Sequence, residues 1–277
     1  MQKRWHLLKP DPQKVSDLKN TLGIHDILCQ LLVNRGIDSF EAAKEYFRPD
    51  LQKLYDPFLM KDMDKAVNRI GQALTKKEKI LIYGDYDVDG TTAVASMFAF
   101  LRKHHDAIDF YIPNRYREGY GLSQAGIDHA VANGYTLIIT LDCGIKSVDL
   151  IRQAKEKNID VIVCDHHLPD EILPPAYAIL NAKQTDCPYP FKELCGCGVG
   201  YKLMCALCER LNWPQAEADE YLDLLATAIA ADIVSMSGEN RALTHLGLKK
   251  ANANPNVGIR ALAKLSGLTG TLHIQNL

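Results

Sequence analysis

From residue 79 onward, short apolar runs rich in β-branched residues alternate with longer segments of helical periodicity. Such alternation is typical of βαβ units. Because the runs are apolar at nearly every position, both faces of the sheet must be covered. The pattern therefore predicts an α/β fold with a doubly wound parallel sheet. The predicted strands are residues 80–83, 108–112, 137–141, 161–164 and 178–180, with helices at residues 91–104, 123–133 and 146–158.

The segments on either side of this region are predominantly helical. Apolar positions recur at helical spacing in residues 12–75, where Gly36 and Pro49 mark helix ends. After residue 181 the periodicity becomes helical again. We therefore predict three regions, which are an N-terminal helical region (residues 1–75), an α/β metal-binding domain (residues 76–235) and a helical C-terminal segment (residues 236–277).

Composition limits the ways in which the chain can bind a partner. The 277 residues include 32 basic and 34 acidic side chains, with a formal net charge of -2. The chain therefore has no excess of positive charge that would attract nucleic acid as a whole. A nucleic-acid substrate would have to be held by local Arg and Lys clusters and by metal ions. Residues 1–15 have no apolar core of signal-peptide type, and no stretch approaches the ~18 apolar residues of a membrane span. We expect a cytoplasmic protein with no membrane contact.

The chain contains eight cysteines, five of them between residues 187 and 208. Their spacing, C-x7-C-x-C-x7-C-x2-C, lacks the paired knuckles of most structural zinc sites. Cys205 and Cys208 share one face of an apolar helical run. The pattern favours free thiols packed in the core over a zinc site or a disulfide framework.

Carboxylates and imidazoles follow three of the predicted strands. They are Asp85, Asp87 and Asp89 after the first strand, Asp142 after the third, and Asp165, His166 and His167 after the fourth. In an open parallel sheet, ligands bind at the edge formed by the carboxyl ends of the strands. Carboxylates gathered there repel one another unless cations neutralise them, and mixed Asp and His ligation suits Mn²⁺ better than Ca²⁺. Two such ions can stabilise both oxygens at a reacting phosphorus, so the pattern predicts a phosphoesterase site.

Each of these motifs has a structural alternative when it is taken alone. Residues 85–90 match the opening of an EF-hand loop, but Ser96 stands where the loop requires Glu, and a strand precedes the motif. Asp142 could cap a helix, and adjacent histidines can be a solvated pair. The coincidence of all three motifs at strand ends favours the metal site.

Residues 114–121 follow the second strand and should face the same edge of the sheet. Arg115 and Arg117 could pair with phosphate oxygens, while Tyr116 and Tyr120 offer faces on which unpaired bases could stack. A solvated loop is the alternative, and composition alone favours it.

Three further candidates lie later in the chain, and two of them have an alternative interpretation. Asp232 interrupts an apolar helical run, and it could bind a metal or cap the loop that follows. Arg241 stands at a helix start and is a second candidate for phosphate binding. The glycine-rich residues 195–200 could present backbone amides to phosphate or allow close backbone packing.

Together these motifs resemble the DHH phosphoesterase superfamily, named for the triplet at residues 165–167, and within it the bacterial single-strand-specific DNA exonucleases. The first motif differs from the His-x-Asn-Pro-Asp-x-Asp sequence of pyrophosphatase relatives, which points to nucleic acid as the substrate. The resemblance rests on residues 83–90, 112–121, 141–144, 163–167, 231–234 and 238–241.

The resemblance implies a 5′-to-3′ exonuclease of recombination and repair that uses two Mn²⁺ or Mg²⁺ ions to cleave single-stranded DNA. The implied metal ligands are Asp85, Asp87, Asp89, Asp142, His166 and Asp232. The implied catalytic residues are Asp142, His166 and His167, with His167 against the scissile phosphate. The implied substrate-binding residues are Arg115, Tyr120, His167 and Arg241. A monomer that works with a single-strand-binding protein and a helicase is also implied.

Such exonucleases continue into a second catalytic domain and an oligonucleotide-binding barrel. We therefore expect the 277 residues to be a truncated form that binds metal but cleaves DNA weakly alone. One alternative is a DHH phosphodiesterase for short oligonucleotides or nucleotides, although those enzymes lack the N-terminal helical region. A non-catalytic DNA-binding scaffold is another, and the presence of all six implied ligands argues against it.

Overall fold

The structure is a computed structural model that describes residue 4, residues 6–50 and residues 54–276. The chain divides into two compact units, Met1–Leu54 and Tyr55–Leu277. The first unit contains three helices, α1 (Pro12–Leu22), α2 (Asp26–Val33) and α3 (Phe40–Phe47). Each begins at a side chain that accepts a hydrogen bond from an amide of its first turn, which fixes where the helix starts. Their core consists of Val15, Leu18, Cys29, Leu32, Ile37 and Ala43.

A five-stranded parallel sheet forms the centre of the second unit. Its strands run in the order β2-β1-β3-β4-β5. This order reverses direction between β1 and β3, and such a switch point opens a crevice at the carboxyl edge of the sheet. The α/β class and the parallel sheet predicted from the sequence are therefore confirmed. The strands are β1 (Ile80–Gly84), β2 (Ile108–Tyr111), β3 (Leu137–Leu141), β4 (Asp160–Cys164) and β5 (Ala178–Leu180).

Helices cover both faces of this sheet, as its apolar strands require. Leu81 and Tyr83 of β1 point to the face covered by α6 (Gln124–Ala132) and α7 (Val148–Glu156). The alternate residues point to the opposite face, where α5 (Val88–Arg102) and α8 (Gly196–Leu211) pack on the strands and on each other. The remaining helices of the unit are α4 (Met63–Lys76), α9 (Ala216–Asp219), α10 (Leu222–Ala231), α11 (Gly238–Ala253) and α12 (Val257–Leu265). Within the described residues, no helix is long and apolar enough to cross a membrane.

Helix α4 belongs to the second unit, whereas the sequence division grouped it with the N-terminal helices. Met63, Ala66 and Ile70 are fully buried because α4 packs against α8 and β5. Helical periodicity shows that a face is buried, and it does not show which core buries it. Helices α11 and α12 are likewise part of the second unit.

The cysteines are free thiols, and seven of the eight are buried. Cys205 is half-buried and accepts a hydrogen bond from the Gln215 amide. Among the described residues, the groups whose geometry suits a metal ion contain no cysteine. The spacing of the cysteines favoured packing in the core, and the structure confirms this prediction.

A buried ion pair joins α8 to the start of α11. Lys202 and Glu239 are 2% and 3% exposed, and their charged atoms lie 2.6 Å apart. Lys202 also donates to the Tyr55 carbonyl, while Glu239 accepts from the Tyr189 hydroxyl and the Tyr55 amide. Every charged atom therefore has partners, as a buried pair needs if it is not to destabilise the fold.

Removing one partner of this pair should destabilise the second unit strongly. Lys202→Ala leaves the Glu239 carboxylate buried without its cation, and we expect the free energy of unfolding to fall by about 3–5 kcal/mol. Lys202→Met combined with Glu239→Gln keeps the volume and the acceptor oxygen, and it should recover most of that loss. Urea denaturation followed by circular dichroism measures both changes.

The exposed ion pair between Lys61 and Asp186 is the matched control. Lys61→Ala should cost less than about 1 kcal/mol because solvent screens this pair. Equal losses for Lys202→Ala and Lys61→Ala would contradict the structural role of the buried pair.

Candidate metal centre

The turn between β1 and α5 carries three carboxylates in different environments. Asp85 directly follows the strand and is fully buried, with Oδ1 accepting from the Gly121 amide at 3.0 Å. Asp87 caps α5 by accepting from the Gly90 amide at 2.9 Å. Helix α5 begins at Val88, three residues earlier than the periodicity predicts, so Asp89 lies in its first turn. A Cβ at Gly90 would lie 2.5 Å from the Asp85 carbonyl, so only glycine allows this turn.

Asp89 accepts hydrogen bonds from two backbone amides at the start of α8. The amides of Gly196 and Cys197 donate to its carboxylate at 2.6 and 2.8 Å. A Cβ at Gly196 would lie 2.5 Å from the Cβ of Asp142. The glycine-rich segment thus serves close packing, and these two amides bind a carboxylate of the protein.

Three carboxylates surround the imidazole of His166. The Nε2 atom lies 3.2 Å from Asp142 Oδ1, 3.6 Å from Asp232 Oδ2 and 3.8 Å from Asp89 Oδ2. Asp142 follows β3 in the left-handed conformation, with φ 60°, which aspartate tolerates better than most residues. We call Asp89, Asp142, His166 and Asp232 the acidic cage.

Two sets of ligand atoms in this region could hold a metal ion. One set is Asp142, His166 and His167, and the other is Asp89, His166 and Asp232; the atoms of each lie within 4.8 Å of one another. Asp85 and Asp87 lie outside both sets, so their predicted ligand role stays a prediction. The other four predicted ligands do come together at the carboxyl edge of the sheet.

Burial and mutual repulsion shift the pKa values of the side chains in the cage. Burial, followed by the charges of Asp89 and Asp87, raises the pKa of Asp142 to about 11. Burial raises the pKa of Asp89 to about 6 although two amides oppose the shift. Burial and the charge of Asp87 also raise the pKa of Asp232. The pKa of His166 falls to about 4, chiefly through burial, so its ring is neutral at pH 7.

The donor set fits a divalent cation. Asp142 Oδ1 and both ring nitrogens of His166 are buried and have no hydrogen-bond partner, which is rare for buried polar atoms. A neutral imidazole has a lone pair to offer, and a cation would replace the proton that burial and repulsion otherwise keep on Asp142. Carboxylate oxygens with imidazole nitrogen are ligands that suit Mn²⁺.

His167 is held in a hydrogen-bonded chain beside the cage. Its Nδ1 lies 2.7 Å from Asp165 Oδ1, and its Nε2 lies 3.2 Å from the Tyr120 hydroxyl. Although burial acts in the opposite direction, the hydrogen bond from His167 holds the pKa of Asp165 below its usual value. The same hydrogen bond raises the pKa of His167. The first residue of the DHH triplet therefore orients the third.

The loop after β2 reaches the site through Tyr120. Its hydroxyl donates to the Asp142 carbonyl at 3.2 Å, and half of the residue is exposed. Arg115 is exposed and lies over the ring of Tyr86, with Cζ 4.4 Å from the ring centroid. Tyr116 and Arg117 are also exposed. Arg241 is half-buried in the first turn of α11.

Asp232 ends helix α10, and an unusual residue follows it. Its amide donates to the Ala228 carbonyl, so the residue closes the helix and contributes its carboxylate to the cage. Ile233 then has φ 56° and is 88% exposed. A β-branched residue in the left-handed region is strained, and such strain is common at functional sites.

Two further residues lie at this edge and were not predicted from the sequence. Asn181 is fully buried directly after β5, and its side chain donates to the His167 carbonyl at 2.8 Å. The charge of Lys183 adds to the burial that lowers the pKa of His166, and it opposes the burial that raises the pKa of Asp232. Both follow a predicted strand, which was the signal available to find them.

Residues 79–229 match the family described as the DHH family, N-terminal domain. The chain is 44% identical over 264 residues to the single-stranded-DNA-specific exonuclease RecJ of Bacillus subtilis, covering 95% of this chain and 33% of that protein. It is 36% identical over 256 residues to RecJ of Haemophilus influenzae, covering 89% and 44%. Among solved structures, RecJ of Thermus thermophilus in complex with Mn²⁺ gives a TM-score of 0.80 at 30% identity, covering 96% and 38%.

These alignments include nearly all of this chain, which spans between a third and a half of the length of those relatives. The resemblance recognised from the motifs is confirmed. The family match alone extends over more than half of the chain, and the chain therefore belongs to the DHH family.

Proposed function

We propose that this chain carries the metal-dependent catalytic site for hydrolysis of phosphodiester bonds in single-stranded DNA. The acidic cage is the observation that carries the proposal, because three carboxylate oxygens lie within 3.8 Å of one neutral imidazole nitrogen. The relatives that align with most of this chain are named single-stranded-DNA-specific exonucleases. The proposal includes the 5′-to-3′ direction and the role in repair and recombination that the resemblance to the DHH exonucleases implies.

Asp89, Asp142, His166 and Asp232 would hold divalent ions. Asp85 and Asp87 are further proposed ligands, and His167 lies beside the cage. When bound, Mn²⁺ or Mg²⁺ supplies positive charge that stabilises the attacking and leaving oxygens at phosphorus. His166 acts as a neutral donor because burial keeps its pKa at about 4. His166 is the residue that both ligand sets share, and Asp142 Oδ1 lies 3.2 Å from its Nε2.

His167 would contact the scissile phosphate from beside the cage. Asp165 holds Nδ1, so that Nε2 points toward Tyr120 and the open side of the site. The raised pKa of His167 favours the protonated ring, which can donate to a phosphate oxygen. The His167 side chain is 40% exposed, so its Nε2–H can exchange the Tyr120 hydroxyl for a substrate phosphate without a rearrangement of the fold.

Arg115, Tyr120 and Arg241 are the proposed substrate contacts of the chain. A guanidinium forms paired hydrogen bonds with phosphate, and a half-exposed tyrosine ring can stack on an unpaired base. A monomer in the cytoplasm, working with a single-strand-binding protein and a helicase, completes the proposal. These partners rest on the family relationship alone.

Cleavage assays with the purified 277-residue chain test the proposed substrate. We expect Mn²⁺-dependent shortening of a long 5′-phosphorylated single strand with enzyme in excess. The matching duplex and a dinucleotide should be cleaved far more slowly, and EDTA should stop the reaction. Preference for the dinucleotide would replace the nuclease proposal with a phosphodiesterase for short substrates.

Asp142→Asn should weaken Mn²⁺ binding by at least about 100-fold, because it removes the carboxylate from the set of Asp142, His166 and His167. Isothermal titration calorimetry measures the affinity, and cleavage of the long strand should be lost in parallel. Asp149→Asn is the control, since that side chain is 83% exposed on α7. Mn²⁺ affinity and cleavage that survive in Asp142→Asn would contradict a metal site at the cage.

The metal-free chain should become less stable as the pH rises from about 7 to about 9. The pKa of Asp142 rises from 3.8 to about 11 on folding, so in this window the folded state keeps a proton that the unfolded state has lost. Each increase in pH then favours unfolding, and the raised pKa of His167 acts in the same direction. We expect a decrease of about 1 kcal/mol per pH unit in the free energy of unfolding, measured with urea and EDTA.

Saturating Mn²⁺ should reverse this trend, because the cation replaces the proton on the cage. Asp142→Asn should flatten the slope of the metal-free chain, since the amide does not titrate. A metal-free chain whose stability increases over the same pH range would show that the cage carboxylates are not protonated.

A further inference from the structure

Tyr86 lies between two of the carboxylates of the β1–α5 turn, and the sequence patterns assign it no role. It is half-buried, and its ring contacts two other side chains. The guanidinium carbon of Arg115 lies 4.4 Å from the ring centroid, and the Tyr120 ring meets it edge-on at 6.0 Å and 89°. We call Arg115, Tyr86 and Tyr120 the aromatic bridge.

The aromatic bridge ends at the metal centre. Tyr120 packs edge-on against His167 with ring centroids 5.8 Å apart, and its hydroxyl reaches both His167 Nε2 and the Asp142 carbonyl at 3.2 Å. A continuous set of contacts therefore joins an exposed arginine to the histidine beside the acidic cage. Tyr86 is the middle member of that set.

The loop that carries Arg115 is itself anchored to the fold. Glu118 accepts from the Asn114 amide, the Tyr111 hydroxyl and the Ser123 hydroxyl, at 2.6–2.8 Å. The Gly121 amide binds Asp85. The backbone around Arg115 is thus held, and the long side chain is the part that needs a support.

An exposed arginine has many rotamers, and ordering it on binding reduces affinity. The face of a tyrosine attracts a guanidinium and leaves its N–H edge available for phosphate. Stacking on Tyr86 therefore orders Arg115 before a substrate arrives. The same ring limits the positions open to Tyr120, whose exposed face is the one available to an unpaired base.

From these contacts we infer that Tyr86 is a positioning residue for substrate binding, which holds Arg115 for a backbone phosphate and Tyr120 for an adjacent unpaired base. The inference rests on the proposed function, because it needs a single-stranded nucleic acid as the ligand. It extends that function by assigning the ordering of two substrate contacts to a residue that binds neither metal nor phosphate.

Tyr86→Ala should weaken binding of a fluorescent single-stranded oligonucleotide by about fivefold, because Arg115 loses its support. Fluorescence anisotropy with saturating Mn²⁺, on a strand with non-cleavable phosphorothioate linkages, measures this affinity. Tyr86→Phe keeps the ring and should restore wild-type affinity. Mn²⁺ affinity and the urea midpoint should be unchanged in both variants.

A double-mutant cycle separates positioning from packing. If Tyr86 acts in part through Arg115, then the double variant Tyr86→Ala/Arg115→Ala should lose less affinity for the strand than the sum of the two single losses. An abasic strand should reduce the loss caused by Tyr86→Ala, because one of the two ordered contacts is to a base. Fully additive losses would overturn the inference.

Tyr177→Ala is the matched control. Lys65 Nζ lies 5.7 Å from the centroid of that ring, and Tyr177 precedes β5 at the opposite edge of the sheet. This variant should bind the strand like the wild type. Wild-type affinity in Tyr86→Ala, with Mn²⁺ binding intact, overturns the role of Tyr86 alone. A wild-type chain that binds Mn²⁺ and no strand overturns the proposed substrate and this inference with it.

Discussion

Repulsion among buried carboxylates is the constraint around which the second unit is organised. Parallel strands bring their carboxyl ends to one edge, and there the chain places acidic side chains that water cannot reach. The fold neutralises some of them itself, since helix amides bind Asp89 and an imidazole binds Asp165. It leaves Asp142 without a donor to Oδ1. Affinity for a divalent cation is the direct result of that selective neutralisation.

Close backbone packing makes this arrangement rigid. Gly90 and Gly196 stand where a side chain would collide with Asp85 and Asp142, so the starts of α5 and α8 approach the strand ends more closely than any other residue would allow. The proposed ligands therefore lie at the ends of strands and helices instead of on a free loop. Rigid supports of this kind hold a metal geometry without cost at the moment of binding.

Site residues could be predicted from the sequence where a carboxylate or imidazole stands at the end of a predicted strand. Strand ends were readable from apolar runs, so the convergence of Asp142 with His166 could be predicted. Asp232 could not be decided from its own surroundings, because a helix-end carboxylate serves equally as a cap, and in the structure it closes the helix and joins the cage. The unit that buries α4 and the contact of Arg115 with Tyr86 depend on side-chain packing between distant segments. Local periodicity carries no information about either.

The backbone at Ile233, directly after the cage, is strained, and this strain destabilises the fold. A left-handed backbone at a β-branched residue is unfavourable by roughly 1–2 kcal/mol, and this side chain is also 88% exposed. Glycine or asparagine would relieve the strain, so laboratory evolution for heat resistance alone would be drawn to this position. Such a selection would loosen the backbone directly after Asp232, and more durable variants obtained in this way would have a less well-defined cage.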